Sequence, residues 1–238
     1  MADTLQVDAA IIGAGQAGPA LAVALAQRGE KVALIEAAQL GGTCVNNGCT
    51  PTKTLRKSAR VAWQARHAAE FGVHVGDVKV DFAAAMNRMQ DRVDTARAGL
   101  EAWVKGQKNI TLVRGWGSFA GGREGAFELT AGAQSIVAKR VYLNTGTRPF
   151  IPPIPGLADV AHLDNDTLLK LRGLPPRLVI IGGSYIGLEM GQIFRRLGSE
   201  VTVIETAPRI TAREDEDVTT CIAAFLEKEG IRIISGQP

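Results

Sequence analysis

The chain has 238 residues, of which 46% are hydrophobic and 21% charged, with a formal net charge of +3. This apolar content with so little net charge excludes an intrinsically disordered protein, and three cysteines are too few to staple a fold of this length. The mild charge and an aromatic content of 5% argue against a nucleic-acid partner. The 27 glycines make up about 11% of the 238 residues, against a usual ~7% in globular proteins. The positions of these glycines in the chain indicate the fold and the function.

An uncharged stretch of 19 residues, from 9 to 27, is nearly as long as a membrane span. It contains three glycines and Pro19, and acidic rather than basic residues precede it, which is untypical of a signal peptide. We interpret it as a buried strand, a turn and a buried helix. The sequence therefore predicts no membrane or targeting segment and a cytoplasmic location.

Two stretches of the chain, 8–36 and 177–205, share one pattern without gaps at an offset of 169 residues. Each has an apolar run, a glycine turn, a helical pattern and a second apolar run that ends on glutamate. This is the strand–helix–strand fingerprint of dinucleotide binding, and two copies indicate two nucleotide sites. The aligned pairs are Gly13 with Gly182, Gly18 with Gly187, Gly29 with Gly198, and Glu36 with Glu205.

The glycines of this fingerprint have separate physical tasks. Gly13 and Gly182 permit the tight turn after the strand. Gly15 lets the backbone approach a pyrophosphate, which the N–H groups at the start of the helix then bind. Gly18 and Gly187 let the helix pack closely on the strand.

The second copy differs at Ser184, which replaces the middle glycine with another small residue. A carboxylate at the strand end accepts hydrogen bonds from a free ribose hydroxyl and repels a 2′-phosphate. Glu36 therefore suits FAD or NAD in the first site, and Glu205 favours NADH over NADPH in the second. Arg209 and Arg213 follow closely, however, and could accommodate a phosphate.

Cys44 and Cys49 lie in a glycine-rich loop, separated by four residues. Thr50 is expected to cap a helix that starts at Pro51 and runs to Phe71, which places Cys49 at a helix N-terminus, where a thiolate is favoured. A zinc site lacks a second cysteine pair, and two inert core cysteines do not suit a glycine-rich loop. The pattern therefore favours a redox-active disulfide beside a flavin.

The remaining segments are predicted more coarsely. A long helical pattern covers 81–105, and alternating strands over 113–141 suggest a small inserted β-layer. Prolines over 149–155 indicate a linker between domains. Cys221 falls in a helical pattern over 214–229 and is expected to pack in the core.

The segment GGTCVNNGCTPTK, residues 41–53, resembles the active-site signature of the class I pyridine nucleotide–disulfide oxidoreductases. That family includes glutathione reductase, dihydrolipoamide dehydrogenase and mercuric reductase. The resemblance covers the whole chain in family order, because YLNTGTRP follows at 142–149 and the nicotinamide fingerprint GGSYIGLE at 182–189. It implies an α/β fold with two Rossmann-like, three-layer dinucleotide-binding domains and the cofactors FAD and NAD(P)H.

The resemblance also implies roles for individual residues. Cys49 would lie against the flavin as the charge-transfer thiolate, and Cys44 would be the interchange thiol that attacks the substrate. Lys53 would lie near flavin N5 with Glu189 as its ion-pair partner, and Tyr185 would cover the nicotinamide pocket. The further FAD-binding positions would be Gly42, Thr43, Thr145 and Gly146.

The implied reaction passes electrons from NAD(P)H through FAD to the disulfide and then to an outside acceptor. The segment NNGCTPTKTL is similar to the corresponding segment of bacterial mercuric reductase-like proteins. The expected acceptor is therefore a small-molecule or small-protein disulfide, or a soft metal ion. No membrane or nucleic-acid partner is expected.

Members of that family are roughly twice this length and form homodimers. We therefore expect residues 1–150 to form an FAD-binding domain without its last FAD segment. Residues 151–238 would be a truncated NAD(P)-binding domain, with the dimerisation domain absent. On this interpretation the chain is a fragment with little or no turnover, whose full-length protein is a homodimer.

Two other functions share some of these features. An FAD-binding redox sensor without turnover would use the same cysteines, but it needs no hydride donor and hence no second fingerprint. An NADH-dependent flavin oxidase would use both nucleotide sites and leave the cysteines as bystanders.

Overall fold

A computed structural model of the protein describes residues 4–123 and 125–236. Within the described residues, strands and helices alternate over 5–36 and 177–235, and between these segments three α-helices are followed by four strands. In order they are β1 (Leu5–Ile12), α1 (Ala17–Gln27), β2 (Val32–Glu36), α2 (Gly42–Asn46), α3 (Cys49–Arg66), a 3₁₀ turn (Ala68–Phe71), α4 (Phe82–Lys105), β3 (Ile110–Arg114), β4 (Gly117–Arg123), β5 (Ala126–Ala131), β6 (Gln134–Leu143), two 3₁₀ turns (Leu157–Asp159 and Leu168–Lys170), β7 (Arg177–Ile181), α5 (Tyr185–Leu197), β8 (Glu200–Glu205), α6 (Glu216–Lys228) and β9 (Ile231–Ser235).

The chain forms two compact units. The first comprises Met1–Pro51 and Gln90–Leu169, and the second comprises Thr52–Met89 and Lys170–Pro238. The long helices α3 and α4 therefore each contribute residues to both units. The assignment of residues 1–150 to FAD and 151–238 to NAD(P) stays a prediction.

The first unit is built on a six-stranded sheet with the order β3-β2-β1-β6-β5-β4. Strands β3, β2, β1 and β6 are parallel, and β5 and β4 continue the sheet in antiparallel pairing. Ala9, Ala10 and Ile11 of β1 are completely buried, because a central parallel strand is covered on both faces. The predicted α/β fold class is confirmed.

Alternate residues of β1 and β2 enter two different cores. Ile11 and Leu34 pack on one face with Leu25 of α1 and Val104 of α4. The opposite face packs against residues of β5 and β6 such as Leu129 and Ile136. The strands predicted over 113–141 are present, and the pairing of β6 with β1 joins them to the main sheet.

The second unit contains a parallel sheet of three strands, in the order β7-β8-β9. Helix α5 buries Ile193 and Phe194, and Phe82 of α4 packs on Phe194 with ring centroids 6.0 Å apart. The prediction that Cys221 packs in the core is wrong, because its side chain is exposed on α6. That helix buries a different stripe, formed by Thr219 and Leu226.

The glycine turns of the two strand–helix–strand segments have nearly the same geometry. Gly13 has a φ of +105° and Gly182 a φ of +109°, a region that only glycine occupies readily. A Cβ atom on Gly18 or Gly187 would lie 2.2 Å from the carbonyl oxygen of Gly13 or Gly182, respectively. The helices therefore approach the preceding strands at a distance that excludes any side chain.

The strand-end carboxylates are held by backbone N–H groups at equivalent positions. Glu36 accepts hydrogen bonds from the N–H groups of Ala14 and Ala38, both at 2.8 Å. Glu205 accepts them from Gly183 at 2.7 Å and from Ala207 at 2.9 Å. The 169-residue repeat thus extends from the sequence pattern to individual hydrogen bonds.

Replacement of Gly18 by alanine should destabilise the protein strongly. The new methyl group would lie 2.2 Å from the Gly13 oxygen, so the backbone must shift, at a cost of about 1–3 kcal/mol or more. Gly99→Ala is the matched control, because Gly99 lies in α4 with open space around it and alanine is favoured there by about 0.5–1 kcal/mol. Urea unfolding of both variants checks this, and a Gly18→Ala protein as stable as the wild type would contradict it.

The Glu205 carboxylate should stabilise the fold at neutral pH and lose this effect in acid. Burial opposes its ionisation, but the hydrogen bonds from Ala207, Gly183 and Thr206 outweigh burial and lower the pKa of the carboxyl below its ordinary value. A carboxyl with a lowered folded-state pKa contributes stability above its unfolded pKa of about 4.3, and this is lost as pH falls through the folded value.

We therefore expect Glu205→Gln to lower the free energy of unfolding by about 1–2 kcal/mol at pH 7. The difference from the wild type should shrink as the pH falls below about 4. Glu227→Gln, at an exposed position of α6, should change stability little at both pH values. A Glu205→Gln deficit that is the same at pH 7 and pH 3 would refute the assignment.

Candidate active site

A cavity of about 640 Å³ opens in the first unit where the parallel strands β1, β2 and β6 end. Open α/β sheets bind ligands beyond the carboxyl ends of their strands, and the volume is typical of cofactor sites, which span about 300–1,000 Å³. The cavity is lined by Ile12, Gly13, Gly15, Gln16, Ile35, Glu36, Ala37, Ala38, Gly42, Thr43, Cys44, Gly48, Cys49, Gly115, Trp116, Gly117, Asn144, Thr145, Gly146, Thr147 and Arg148.

Most of the predicted FAD-binding residues, together with both cysteines, meet at this cavity. Gly18 is the exception, since it is buried beneath the turn and does not line the cavity. The residues brought together are Gly13, Gly15, Glu36, Gly42, Thr43, Cys44, Cys49, Thr145 and Gly146.

Two glycines from different segments form a narrow part of the cavity wall. A Cβ atom on Gly42, whose φ is +56°, would lie 2.8 Å from the Cα atom of Gly15. The first-turn N–H groups of α1, which follow Gly15, have no partner within the helix. Backbone donors beside an open space suit a pyrophosphate, and the Glu36 carboxylate supplies acceptors for a ribose. The residues present therefore fit a dinucleotide such as FAD.

Sequence reasoning missed Asn144, which fixes the geometry of the glycine turn. Its side-chain Nδ2 donates to the carbonyl of Gly13 at 3.0 Å, and its backbone N–H donates to Ile12 at 2.8 Å. The signal was available, because Asn144 directly precedes the Thr-Gly-Thr segment at the end of β6. Its partner lies 131 residues earlier, so spacing alone could not indicate the bond.

Trp116 is a second cavity residue that sequence reasoning missed. It lies between Gly115 and Gly117, directly after β3, and is 68% exposed while lining the cavity. A tryptophan flanked by glycines in a connection was the available signal. Arg148 lines the cavity as well and adds a positive charge to it.

The two cysteines of the cavity are free thiols in different surroundings. Cys44 on α2 is half-buried, whereas Cys49 at the start of α3 is exposed. Burial raises the pKa of the Cys44 thiol above its ordinary value, and hydrogen bonding with the Cys49 side chain raises it further. The two side chains are therefore neighbours, as a redox pair requires.

Helix α3 begins at Cys49, so the predicted Thr50 cap and Pro51 start are each two residues late. Pro51 is accommodated because N–H groups in the first turn of a helix need no partner within it. The helix also ends earlier, at Arg66, and a 3₁₀ turn continues to Phe71. Cys49 thus belongs to the helix itself.

Lys53 and Glu189 form an ion pair within the second unit. Lys53 Nζ lies 2.5 Å from Glu189 Oε1, and the carboxylate-bearing side chain is the less exposed of the two. Lys53 is on α3 and Glu189 on α5. The two residues that the family resemblance paired are therefore in direct contact.

The second glycine turn brings Gly182, Ser184, Gly187 and Glu205 together beside α5. Ser184 is the residue before the helix, in extended conformation, and its side chain makes no capping hydrogen bond. Tyr185 follows as the first helical residue and is 73% exposed. Its side chain is thus free to contact a ligand.

A segment after β8, residues 209–211, folds over this second turn and was not predicted. The Thr211 N–H donates to the Gly183 carbonyl at 2.9 Å, and Ile210 is buried. Within the described part of the chain, Arg209 Nε and Thr211 Oγ1 are buried without a hydrogen-bond partner. Polar atoms of this kind are unusual in a folded protein and mark this segment as a candidate contact for the second nucleotide.

Among residues 4–123 and 125–236, no group of three or more His, Cys, Asp or Glu side chains could hold a metal ion. No helix there has the length and apolar character needed to cross a membrane.

The chain is similar to known proteins over almost its whole length. A family model for pyridine nucleotide-disulphide oxidoreductases matches residues 7–237. The dihydrolipoyl dehydrogenase of Bacillus subtilis is 39% identical over 226 residues, which cover 94% of this chain and 49% of that protein. The mercuric reductase of Bacillus cereus is 35% identical, over 96% of this chain and 36% of that protein.

The chain is also similar to solved structures over almost its whole length. The HOCl-induced flavoprotein disulfide reductase RclA of Escherichia coli superposes with a TM-score of 0.83 at 36% identity, over 97% of this chain and 49% of that chain. The chain thus spans about half the length of these disulfide reductase and dehydrogenase relatives. On these matches, the chain belongs to the pyridine nucleotide-disulphide oxidoreductase family.

Proposed function

We propose that this chain is the part of a flavoprotein oxidoreductase that carries electrons from NAD(P)H, through FAD, to a disulfide between Cys44 and Cys49. The observation that carries the proposal is the single cavity lined by the first glycine turn, Glu36, both cysteines and the Thr145–Gly146 segment. The names of the relatives, which include a disulfide reductase, a dihydrolipoyl dehydrogenase and a mercuric reductase, support it.

In this proposal the backbone around Gly13, Gly15 and Gly42 holds the pyrophosphate of FAD, and Glu36 binds the ribose. FAD, when bound, supplies a two-electron carrier between the nicotinamide and the cysteines. Thr145 and Gly146 would line it. The chain itself would position the cofactor, since a Cβ atom on Gly42 would lie only 2.8 Å from the Cα atom of Gly15.

The two cysteines would have different roles in the reaction. Cys49 would lie against the flavin and hold the charge-transfer thiolate. Cys44 would attack the outside acceptor, which we propose is a disulfide or a soft metal ion. Lys53 would be the cation beside the flavin, kept in one orientation by its contact with Glu189.

The second unit would bind the nicotinamide dinucleotide at the turn of Gly182, Ser184 and Gly187. Glu205 holds two backbone N–H groups and retains lone pairs for a ribose hydroxyl, which favours NADH. Arg209 is one of the two arginines that could accommodate a 2′-phosphate, and in the structure its Nη2 donates to the Glu214 carbonyl at 3.4 Å. We further propose that Tyr185 covers the nicotinamide and that the full-length protein is a cytoplasmic homodimer.

Anaerobic reduction of the FAD-loaded chain with one equivalent of NADH tests the redox role of the cysteines. We expect a long-wavelength thiolate-to-flavin absorption band with the flavin still oxidised, because the two electrons reside on the cysteine pair. In Cys44→Ser, the Cys49 thiolate cannot form a disulfide, so the band should be present before any reductant is added. In Cys49→Ser it should be lost.

The other outcomes identify the competing functions. Simple bleaching of the flavin in the wild type, with no new band, would contradict the proposal and indicate a flavin oxidase with bystander cysteines. Formation of the band with dithionite but not with NADH would instead indicate a redox sensor without a hydride donor.

A further inference from the structure

A series of side-chain hydrogen bonds joins helix α4 to the loop between the two cysteines. Arg97 Nε donates to Asn46 Oδ1 at 2.9 Å. Asn46 Nδ2 in turn donates to the carbonyl oxygens of Leu40 and Gly42, both at 2.9 Å. All of these residues belong to the first unit. Asn46 thereby uses both of its amide protons and its side-chain oxygen.

The guanidinium of Arg97 is itself held in orientation. Its Nη1 lies 3.0 Å from Asp94 Oδ1, and Gln90 Nε2 donates to the same oxygen at 3.0 Å. Because the guanidinium is planar, the contact of its Nη1 with Asp94 also sets the direction in which the Nε–H group points. Because arginine only donates, it must face the oxygen of the Asn46 amide, which fixes the orientation of that amide as well.

The segment that these bonds restrain includes the end of α2, where the Asn47 N–H donates to the Thr43 carbonyl at 2.9 Å and Val45 is buried. Only four residues, 45–48, separate the cysteines. Gly42, at a φ of +56°, precedes the loop and Gly48 ends it, and glycine adds conformational freedom to a chain. One other side chain holds the loop, since Asn165 Nδ2 donates to the carbonyl of Asn47 at 3.2 Å.

We propose that Asn46 and Arg97 are positioning residues that keep Cys44 against Cys49 when the pair is reduced, and that this restraint sets the stability of the disulfide. The inference rests on the proposed function, in which these two thiols form a redox-active disulfide. A disulfide needs its Cα atoms within about 4.4–6.8 Å. A loop that opened on reduction would have to regain that geometry at a cost in conformational entropy.

The surroundings of Cys44 agree with such a restraint. Its side chain is half-buried and lines the same cavity as that of Cys49, although both are free thiols. The reduced pair therefore already faces one shared space.

Thiol–disulfide exchange with dithiothreitol measures the effect without any flavin. In each exchange the two protein thiols are oxidised to one disulfide and oxidised dithiothreitol is reduced to its dithiol, so two electrons and two protons change molecules. We expect Arg97→Met, which keeps the aliphatic stem and removes the donors, to lower the equilibrium constant for disulfide formation about tenfold. That change equals a reduction potential higher by about 30 mV.

A second readout distinguishes positioning from a general loss of stability. Release of the loop should raise the rate of Cys44 alkylation by iodoacetamide severalfold, with the Cys49 rate unchanged, as measured by peptide mapping. Arg97→Lys keeps one donor for Asn46 and should recover part of both effects.

Arg92→Met is the matched control. It removes the same type of side chain from an exposed position of the same helix and should leave both readouts unchanged. Asp94→Ala provides a second variant that should fold like the wild type, because the Asp94 side chain is 54% exposed. It should shift both readouts in the same direction as Arg97→Met, by a smaller factor.

The outcomes separate this inference from the proposed function. If the wild-type disulfide forms and its equilibrium constant is unchanged in Arg97→Met and Asp94→Ala, the positioning role is wrong while the proposed function stands. If Arg97→Met does not fold, Asp94→Ala decides alone. If the wild type forms no bond between Cys44 and Cys49 under oxidised dithiothreitol, both are overturned.

Discussion

Each of the two glycine turns in the strand–helix–strand segments is held by a carboxylate at the end of the neighbouring strand. Glu36 and Glu205 each receive two backbone N–H groups, one from the glycine turn and one from the residues that follow the strand. These bonds fix the turn and hence the start of the next helix. In the first unit, the contact between Gly15 and Gly42 and the bond from Asn144 to Gly13 both require the turn in that position. The shape of the cavity therefore depends on the position in which these contacts hold the turn.

The two copies of this arrangement differ where their proposed ligands differ. In the first, a glycine leaves the backbone open toward the cavity, and the cysteine loop closes the other side. In the second, Ser184 occupies the middle position, and residues 209–211 fold over the turn. The proposed division of roles follows from this contrast, because among the described residues only the first copy has a pair of cysteines lining the cavity beside its glycine turn.

Sequence reasoning succeeded where the constraint is local. The positions of Gly13, Gly182 and the two glutamates follow from the backbone geometry of one strand–helix–strand segment, so their spacing was sufficient. It failed for Cys221, since periodicity predicted the helix but not which side is buried. It could not find the bonds of Asn144 to Gly13 or of Arg97 to Asn46, whose partners are 131 and 51 residues apart in the chain. Such contacts exist only once the sheet and α4 have assembled.

Equilibrium binding of FAD and of FMN to the purified chain tests the central claim most directly, since FMN lacks the adenosine half assigned to Glu36. If the cavity holds a dinucleotide, FAD should bind roughly ten- to a hundredfold more tightly than FMN, the effect of one or two hydrogen bonds to a charged group. Glu36→Ala should reduce that preference, because the ribose hydroxyl loses its acceptor. Equal affinity for the two flavins, or a preference unaffected by Glu36→Ala, would contradict the account.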